Sequence, residues 1–347
     1  MKTYLLLIFY LCLFSQLVAQ TKNQIIIPDS ATINQWLTDT NVPAIAIGTI
    51  QNGQVNSMLV YGNTQTGSPA DANTIFDVAS LTKSITSLLT LELVLQASWN
   101  LDEPLFHYWI DPDLKNDPRH QKLTTRHVLS HRTGFKNWRW MNEDKKLAFD
   151  FEPGSKFHYS GEGFEYLRKA MEGKFQIPFE KMADSLIFQP NGMTNSHLTW
   201  NEKIKDYQFA GTHDESGKPY EYEKSTQANA ADNLLTTLKD FSQLSANIIN
   251  KQMLDQDLYQ EMIRPQSTVR EGISFGLGWI VFNNLANGEY ALFNAGSDTG
   301  VNALVVLLPK SKRGLIVMTN GDNGRALAMK AIAETLGTVG KEILSRF

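Results

Sequence analysis

Ser80 and Lys83 are the first residues of this sequence whose types and spacing could do chemistry. They form the only Ser-x-x-Lys pattern in the chain, at the start of a predicted helix over residues 80–97. That helix is apolar nearly all round, which predicts burial. A spacing of three places both side chains on one face, and a buried lysine releases its proton more readily. The pattern predicts a serine nucleophile with a lysine base, and a helix cap followed by a solvent-reaching lysine is the alternative.

A tyrosine before a second helix is the next candidate. Tyr159 lies in Pro153-Gly-Ser-Lys-Phe-His-Tyr159-Ser-Gly161, directly before a predicted helix that begins near Glu162. At such a junction a phenol can point into a cleft, and beside a lysine ammonium it can relay a proton. On its own, Tyr159 fits a packing role better than a catalytic one.

Several segments, taken in order, give these residues a common context. Phe76-Asp-Val-Ala-Ser80-Leu-Thr-Lys83 resembles the nucleophile motif of the serine β-lactamase and penicillin-binding-protein superfamily. Within it, the chain most resembles the branch that holds class C β-lactamases, carboxylesterases, D-aminopeptidases and D,D-carboxypeptidases. The resemblance extends over about residues 42–336, and its further segments are residues 124–134, 151–161, 189–194, 276–279 and 318–321.

The resemblance implies a serine hydrolase that forms an acyl-enzyme on Ser80. Lys83 and Tyr159 would take the hydroxyl proton and later help to activate water, and the sequence leaves open which of them is the base. The expected substrate is an ester or an amide, and no metal or organic cofactor is needed. His127 and His131 lack the glutamate of a zinc-protease motif and are interpreted as structural, so no metal site is predicted.

A third catalytic element is expected on a late strand, where that branch has Lys-Thr-Gly or His-x-Gly. The matching segment is Asn294-Ala295-Gly296-Ser297. Gly296 suits a strand that the substrate approaches closely, and the backbone amides of Ser80 and Ser297 would form an oxyanion hole. Taken alone, the segment fits a plain strand-to-turn transition.

Two positions depart from the pattern of that branch. Asn294 stands where a lysine or a histidine is expected, so no cation is available there for a substrate carboxylate. Gly161 ends the tyrosine motif where an asparagine side chain would bind the substrate. Both departures favour an esterase or a peptidase over an efficient β-lactamase. In a smaller departure, Ala230-Ala-Asp-Asn233 stands where two glycines are common, which affects either the cleft or only a loop.

Substrate binding is predicted around the third element and the tyrosine motif, by Asn294, Ala295, Gly296, Gly161 and Trp279. Trp138 and Trp140 are further aromatic candidates, although packing is the commoner role of such residues. Two other kinds of protein stay open. One is a catalytically silent protein that holds a peptide or cell-wall fragment in the cleft, and the other is an assembly protein that uses the fold as a scaffold.

The elements that must position these residues predict an α+β fold. A hairpin with its turn at Asn52-Gly53 occupies about residues 42–61, and β-rich segments return at 275–282, 290–294, 303–308 and 314–320. A helix closes the chain over about residues 325–343. The pattern predicts an antiparallel sheet flanked by N- and C-terminal helices, with an inserted mainly helical domain. Residues 21–79 and 235–347 form the discontinuous sheet domain, and residues 80–234 form the helical one.

The first twenty residues have the pattern of a signal peptide. Lys2 precedes an apolar stretch that contains the only cysteine, Cys12, and Ala19 supplies a small residue for cleavage. An exported protein, periplasmic or secreted, is therefore predicted, with no stable membrane span after cleavage. The net charge of −4 with no basic face argues against nucleic acid. The expected partner is a small molecule or short peptide, and the oligomeric state stays open.

Overall fold

The computed structural model describes residues 25–347, and the predicted signal peptide at residues 1–20 lies outside the described residues. The strands are β1 (Ala44–Gln51), β2 (Gln54–Gly62), β3 (Ile75–Asp77), β4 (Leu235–Thr237), β5 (Ser267–Arg270), β6 (Ile273–Phe275), β7 (Ile280–Leu285), β8 (Glu289–Asp298), β9 (Val301–Leu308) and β10 (Arg313–Thr319). The α-helices are α1 (Ser30–Thr40), α2 (Thr82–Leu95), α3 (Thr125–Leu129), α4 (Gly161–Phe175), α5 (Phe179–Ala183), α6 (Leu238–Ile249), α7 (Gln256–Ile263), α8 (Gly324–Thr335) and α9 (Gly337–Ser345). Short 3₁₀ or π-helical turns lie at Ala79–Leu81, Leu105–His107, Pro112–Leu114, Pro118–Lys122, Arg139–Met141, Asp184–Phe188, Asp206–Gln208 and Ala286–Gly288.

An antiparallel sheet of eight strands joins the two ends of the described chain. Its strand order is β2-β1-β10-β9-β8-β7-β6-β5, so β1 pairs with β10 at a separation of more than 200 residues. The β1–β2 hairpin turns at Asn52 and Gly53, both with positive φ (55° and 76°), as the Asn-Gly pair predicted. This order places β8, the strand with the third predicted catalytic element, inside the sheet.

Both faces of the sheet are covered by helices. Successive side chains of a strand point to opposite faces, so Ile45 and Ile47 of β1 pack with residues of α1, α8 and α9. Ala44 and Ala46 face the other way, into the core shared with α2 and α6. Flanking helices on one face and a helical layer on the other confirm the predicted α+β fold class.

The helical layer is formed mainly by the chain between β3 and β4. These two strands pair with each other where the chain leaves the sheet layer and where it returns. The side chains of α2 are buried on almost every face, which explains its apolar sequence; the buried set includes Ile85, Leu88, Leu89, Leu91 and Leu93. The exact domain boundaries at residues 80 and 235 stay a prediction.

Two predicted elements are each divided in the structure. The segment 275–282 forms the end of β6 and the start of β7, because the backbone turns at Gly278 (φ 79°). A Cβ there would lie 2.3 Å from Ser87 of α2, so this glycine allows close packing. The closing helix is two helices, α8 and α9, separated at Gly337 (φ 62°). Within residues 25–347, no helix is both long and apolar enough to cross a membrane.

Candidate active site

Ser80 lies in a tight turn directly before α2. The predicted helix begins two residues later than expected, at Thr82, and Ser80 belongs to the preceding 3₁₀ turn. The carboxylate of Asp77 accepts a hydrogen bond from the Ala79 N–H at 2.8 Å. Ala79 has a positive φ of 46°, a conformation that side-chain-bearing residues rarely adopt. The turn before the serine is therefore held in an unusual backbone conformation by an aspartate on β3.

Lys83 contacts Ser80 directly. Its side chain is 2% exposed, and its Nζ donates hydrogen bonds to Ser80 Oγ and to the Ala231 carbonyl, both at 2.9 Å. The spacing of three therefore does place the amine at the hydroxyl. Because Ser80 Oγ accepts from the lysine, its own proton is directed to another group.

Tyr159 lies on the other side of Lys83, and a buried histidine supports its ring. Lys83 Nζ lies 4.9 Å from the centroid of the Tyr159 ring, which stacks on His131 with a centroid separation of 4.2 Å. Burial lowers the pKa of His131 well below its usual value, and its Nδ1 accepts the Ser160 N–H at 3.1 Å. Within residues 25–347, the Tyr159 hydroxyl has no hydrogen bond to Ser80 or Lys83. His131 thus has a structural role beneath the tyrosine.

The third predicted element, on β8, touches the turn that carries Ser80. A Cβ on Gly296 would lie 2.0 Å from the Val78 carbonyl oxygen and 2.8 Å from the Ser80 nitrogen, so only glycine fits there. Ser297 follows in β8 and lines the same cavity as Ser80, and its part in an oxyanion hole stays a prediction. Asn294 is 8% exposed and its Nδ2 donates to the Gly278 carbonyl at 2.9 Å.

A cavity of about 340 Å³ opens beside these groups. Its polar lining residues are Ser80, Asn137, Tyr159, Asn294, Ser297, Asn302 and Arg325. Its apolar wall is formed by Phe275, Ile280, Phe293, Ala295, Leu304, Ala328, Met329 and Phe347. Two larger clefts, of about 480 and 490 Å³, lie elsewhere, and none of the predicted catalytic residues lines either of them. A mainly apolar cavity lined also by a few polar groups is typical of a ligand site.

Two predicted substrate-binding residues are not in the cavity wall. Trp279 is fully buried in the core between the sheet and α2, so the prediction that it binds substrate is wrong. Gly161 lies behind Trp138, whose ring would be 2.7 Å from a Cβ at this position. Its N–H instead donates to Asn137 Oδ1 at 2.8 Å, and it is Asn137 that lines the cavity. Trp140 is 65% exposed and does not line the cavity either.

Arg325 and Asp232 were also missed in the sequence. Arg325, in the first turn of α8, lines the cavity and has no ion-pair partner within residues 25–347. Asp232 contacts Ser80, whose Oγ donates to Asp232 Oδ1 over 3.4 Å. The departure at residues 230–233 was the only sequence signal for Asp232, and Arg325 follows the segment 318–321 closely without a motif of its own.

Carboxyl groups near Ser80 are shifted towards their neutral forms. Burial raises the pKa of Asp232 to about 7, against the opposing effect of the Lys83 ammonium. The negative charges of Asp298 and Asp77 add to the increase. Burial likewise raises the pKa of Asp77 to about 6, although the Ala79 N–H counteracts it. Among the described residues, no group of three or more His, Cys, Asp or Glu side chains could hold a metal ion.

Two curated relatives are similar to most of the chain. Protein flp of Staphylococcus aureus (strain COL) is 22% identical over 310 residues, which cover 81% of this chain and 60% of that protein. Penicillin-binding protein 4* of Bacillus subtilis (strain 168) is 23% identical over 287 residues, which cover 73% of this chain and 62% of that protein. The chain therefore spans about three fifths of the length of these relatives.

A solved structure and a family model extend these similarities. The octameric penicillin-binding protein homologue from Pyrococcus abyssi has a TM-score of 0.76 and 22% identity, covering 90% of this chain and 77% of that chain. At this identity the likeness concerns the fold. The family model described as Beta-lactamase matches residues 16–337. Because that match covers most of the sequence, the chain belongs to the β-lactamase family.

Proposed function

We propose that this chain is an exported serine hydrolase, periplasmic or secreted, that cleaves an ester or amide through an acyl-enzyme on Ser80. The observation that carries the proposal is the 2.9 Å contact between Lys83 Nζ and the Oγ of Ser80, which lines the cavity. A nucleophile with a base in hydrogen-bond reach is the basic requirement for covalent catalysis. The family membership supports the same class of chemistry.

The reaction follows from the positions of these groups. A base of the site removes the Ser80 proton while Oγ attacks the substrate carbonyl carbon. The negative charge that develops on the carbonyl oxygen is stabilised by the backbone N–H groups of Ser80 and Ser297. The bond to the leaving alcohol or amine then breaks, and the leaving group takes a proton. Water cleaves the acyl-enzyme in the same way, which restores the Ser80 hydroxyl.

The cavity wall supports a substrate with a small apolar group. The eight apolar side chains named above come from β6, β7, β8, β9, α8 and residue 347, and burying an apolar acyl or alcohol group among them contributes about 25 cal/mol per Å². Asn294 supplies no positive charge at the strand position that would bind a carboxylate. Esters and simple amides are therefore proposed ahead of β-lactams.

A catalytically silent binding protein is the second candidate, and one observation favours it. Arg325 brings a cation to the cavity on α8, where it can pair with the carboxylate of a peptide or cell-wall fragment. In that case the cavity would hold such a ligand without forming a covalent bond. Formation of an adduct on Ser80 separates the two candidates.

The test combines covalent labelling with a substrate panel. The wild-type protein is treated with a fluorophosphonate and analysed by intact mass, beside Ser80→Ala and the control Ser84→Ala. Ser84 is the next serine after Ser80 in the sequence. It lies in α2, is buried, and donates a hydrogen bond to the Leu81 carbonyl. We expect labelling of wild type and Ser84→Ala only, and faster turnover of p-nitrophenyl butyrate than of a D-amino acid anilide or a cephalosporin. If no Ser80-dependent adduct forms with any probe, the silent candidate replaces the hydrolase.

A further inference from the structure

The backbone around Asp232 is fixed against the nucleophile helix. Three residues of α2 bind the segment on both sides of the aspartate: Thr86 Oγ1 donates to the Ala230 carbonyl at 2.6 Å, Lys83 Nζ donates to the Ala231 carbonyl at 2.9 Å, and Thr82 Oγ1 accepts from Leu234 N–H at 2.8 Å. These hydrogen bonds join parts of the chain about 150 residues apart. The carboxylate is therefore held at Ser80 by the framework of the site and does not belong to a free loop.

The Ser80 hydroxyl is placed between an amine and a carboxylate. Its oxygen accepts from Lys83 Nζ at 2.9 Å, and its proton is directed at Asp232 Oδ1 over 3.4 Å. A separation of 3.4 Å is long for such a bond, but contacts of catalytic groups often shorten only when substrate is bound. Within residues 25–347, Asp232 is the group to which the Ser80 hydroxyl donates.

We propose that the Asp232 carboxylate is a catalytic base of this site, a proposal that rests on the proposed function. In acylation, the Ser80 proton moves to Asp232 as Oγ bonds to the carbonyl carbon, and Asp232 returns that proton to the leaving group. In deacylation, Asp232 takes a proton from the attacking water. As the acyl bond breaks, the same proton moves to Ser80 Oγ, so both hydroxyl and carboxylate are restored.

The surroundings of Asp232 suit a base that works near neutral pH. Lys83 on α2 provides the neighbouring positive charge, and Asp77 on β3 and Asp298 on β8 provide negative charges. Tyr222 also faces this group of charges and donates a hydrogen bond to Asp77 at 2.8 Å. With its pKa raised to about 7, the carboxyl is ionised above neutral pH and is a stronger base than an ordinary aspartate.

The test measures kcat/KM for p-nitrophenyl butyrate between pH 5 and pH 9 in wild type and in Asp232→Asn. Removing a general base costs about 10²- to 10⁴-fold. We therefore expect a loss of at least about 100-fold in Asp232→Asn, together with loss of the rise in rate near pH 7. A second variant, Asp232→Gly, removes the carboxylate and leaves space for a small added one, and we expect formate to restore part of its activity.

Asp298→Asn is the control that leaves the contact with Ser80 in place. Removing the Asp298 charge makes Asp232 easier to ionise, so the rise in rate should move to lower pH. A purely structural Asp232 would give no such shift, and this variant decides the question even where Asp232→Asn fails to fold. The proposal is overturned if Asp232→Asn keeps the wild-type rate and pH profile, or if the Asp298→Asn profile does not shift. Absence of Ser80-dependent turnover in wild type would instead reject the proposed function.

Discussion

At the scale of single residues, Gly296 sets the distance between the sheet and the nucleophile. A Cβ at this position would meet the Val78 carbonyl oxygen at 2.0 Å and the Ser80 nitrogen at 2.8 Å. Both are backbone atoms, so neither can rotate away as a flexible side chain would. Strand β8 therefore comes this close to the backbone of the Ser80 turn only because residue 296 has no side chain.

We expect Gly296→Ala to lower kcat/KM for a p-nitrophenyl ester by at least about 100-fold, because a displacement of about 1 Å is enough for such a loss. The matched control is Gly321→Ala, whose added Cβ would meet its nearest neighbours at 3.4–3.5 Å, an ordinary contact distance. Circular dichroism establishes that both variants fold. Labelling of Gly296→Ala by a fluorophosphonate at the wild-type rate would contradict the expectation.

The residues of the site differ in how far the sequence could predict them. Ser80, Lys83 and Tyr159 stand in motifs, and the structure brings all three together around one cavity. Trp279 was assigned to the substrate because aromatic side chains on loops are enriched at such pockets, yet the core between the sheet and α2 encloses it. Asp232 was missed because its contact with Ser80 depends on hydrogen bonds between distant segments, which no local pattern reveals.

At the scale of elements, an ion-pair network fastens the loop that carries Asn137 to the start of α4. The Arg139 side chain donates to Glu162 Oε2 and to Asp111 Oδ2, each at 2.9 Å, and the Arg139 backbone N–H donates to Glu162 Oε1. Asp111 and Glu162 are buried, whereas Arg139 is partly exposed. Tyr159 lies just before this end of α4, so the network lies next to two residues that line the cavity, Asn137 and Tyr159.

We expect Arg139→Met to lower the free energy of unfolding by about 2 kcal/mol, because it leaves two buried carboxylates without their partner. Partial exposure of the arginine keeps the value below that of a fully buried pair. The control is Lys122→Met, which removes an exposed pair with Glu152 and should cost less than about 1 kcal/mol. Urea unfolding measures both variants, and equal losses would show that the Arg139 network has no special structural role.

Local elements could be predicted from the sequence where a single conformational preference determines the backbone. The Asn52-Gly53 turn requires positive φ at both residues, which this pair readily adopts, and the hairpin forms as predicted. The closing helix was predicted as a single segment over about residues 325–343. Gly337 adopts a positive φ instead and ends α8, since tertiary packing sets the direction of α9.

At the scale of the whole molecule, the sheet depends on pairing between the ends of the described chain. Ile45 on β1 pairs with Thr319 on β10, and this pairing joins the β1–β2 hairpin to the later strands of the sheet. The α+β class follows from the order of strand-like and helical segments, but the strand order cannot be deduced from local periodicity. In the fold, Asp77 and Asp298 come close enough to Asp232 for their charges to raise its pKa, although the three positions are far apart in the sequence.

The raised pKa of Asp232 makes the free energy of unfolding depend on pH. An aspartate with a folded-state pKa of about 7 keeps its proton at a pH where the unfolded chain has lost it. The folded state then binds more protons, so this contribution to stability is lost as pH rises towards 7. Burial lowers the pKa of His131, and it lowers the pKa of His127 to about 4. Below pH 6.5 the unfolded chain therefore binds more protons at these histidines, so their contribution to stability increases as pH rises. Wild type alone therefore mixes two effects of opposite sign.

Comparison with Asp232→Asn isolates the carboxyl contribution, because the histidines are the same in both proteins. One unit of pKa shift corresponds to about 1.4 kcal/mol. We expect the stability of Asp232→Asn relative to wild type to increase by about 2 kcal/mol between pH 5 and pH 8, measured by urea unfolding at each pH. Asp39→Asn, an exposed substitution on α1, serves as the control with no comparable trend. A difference between Asp232→Asn and wild type that stays constant across this range would mean that Asp232 titrates in the folded protein as it does in the unfolded chain.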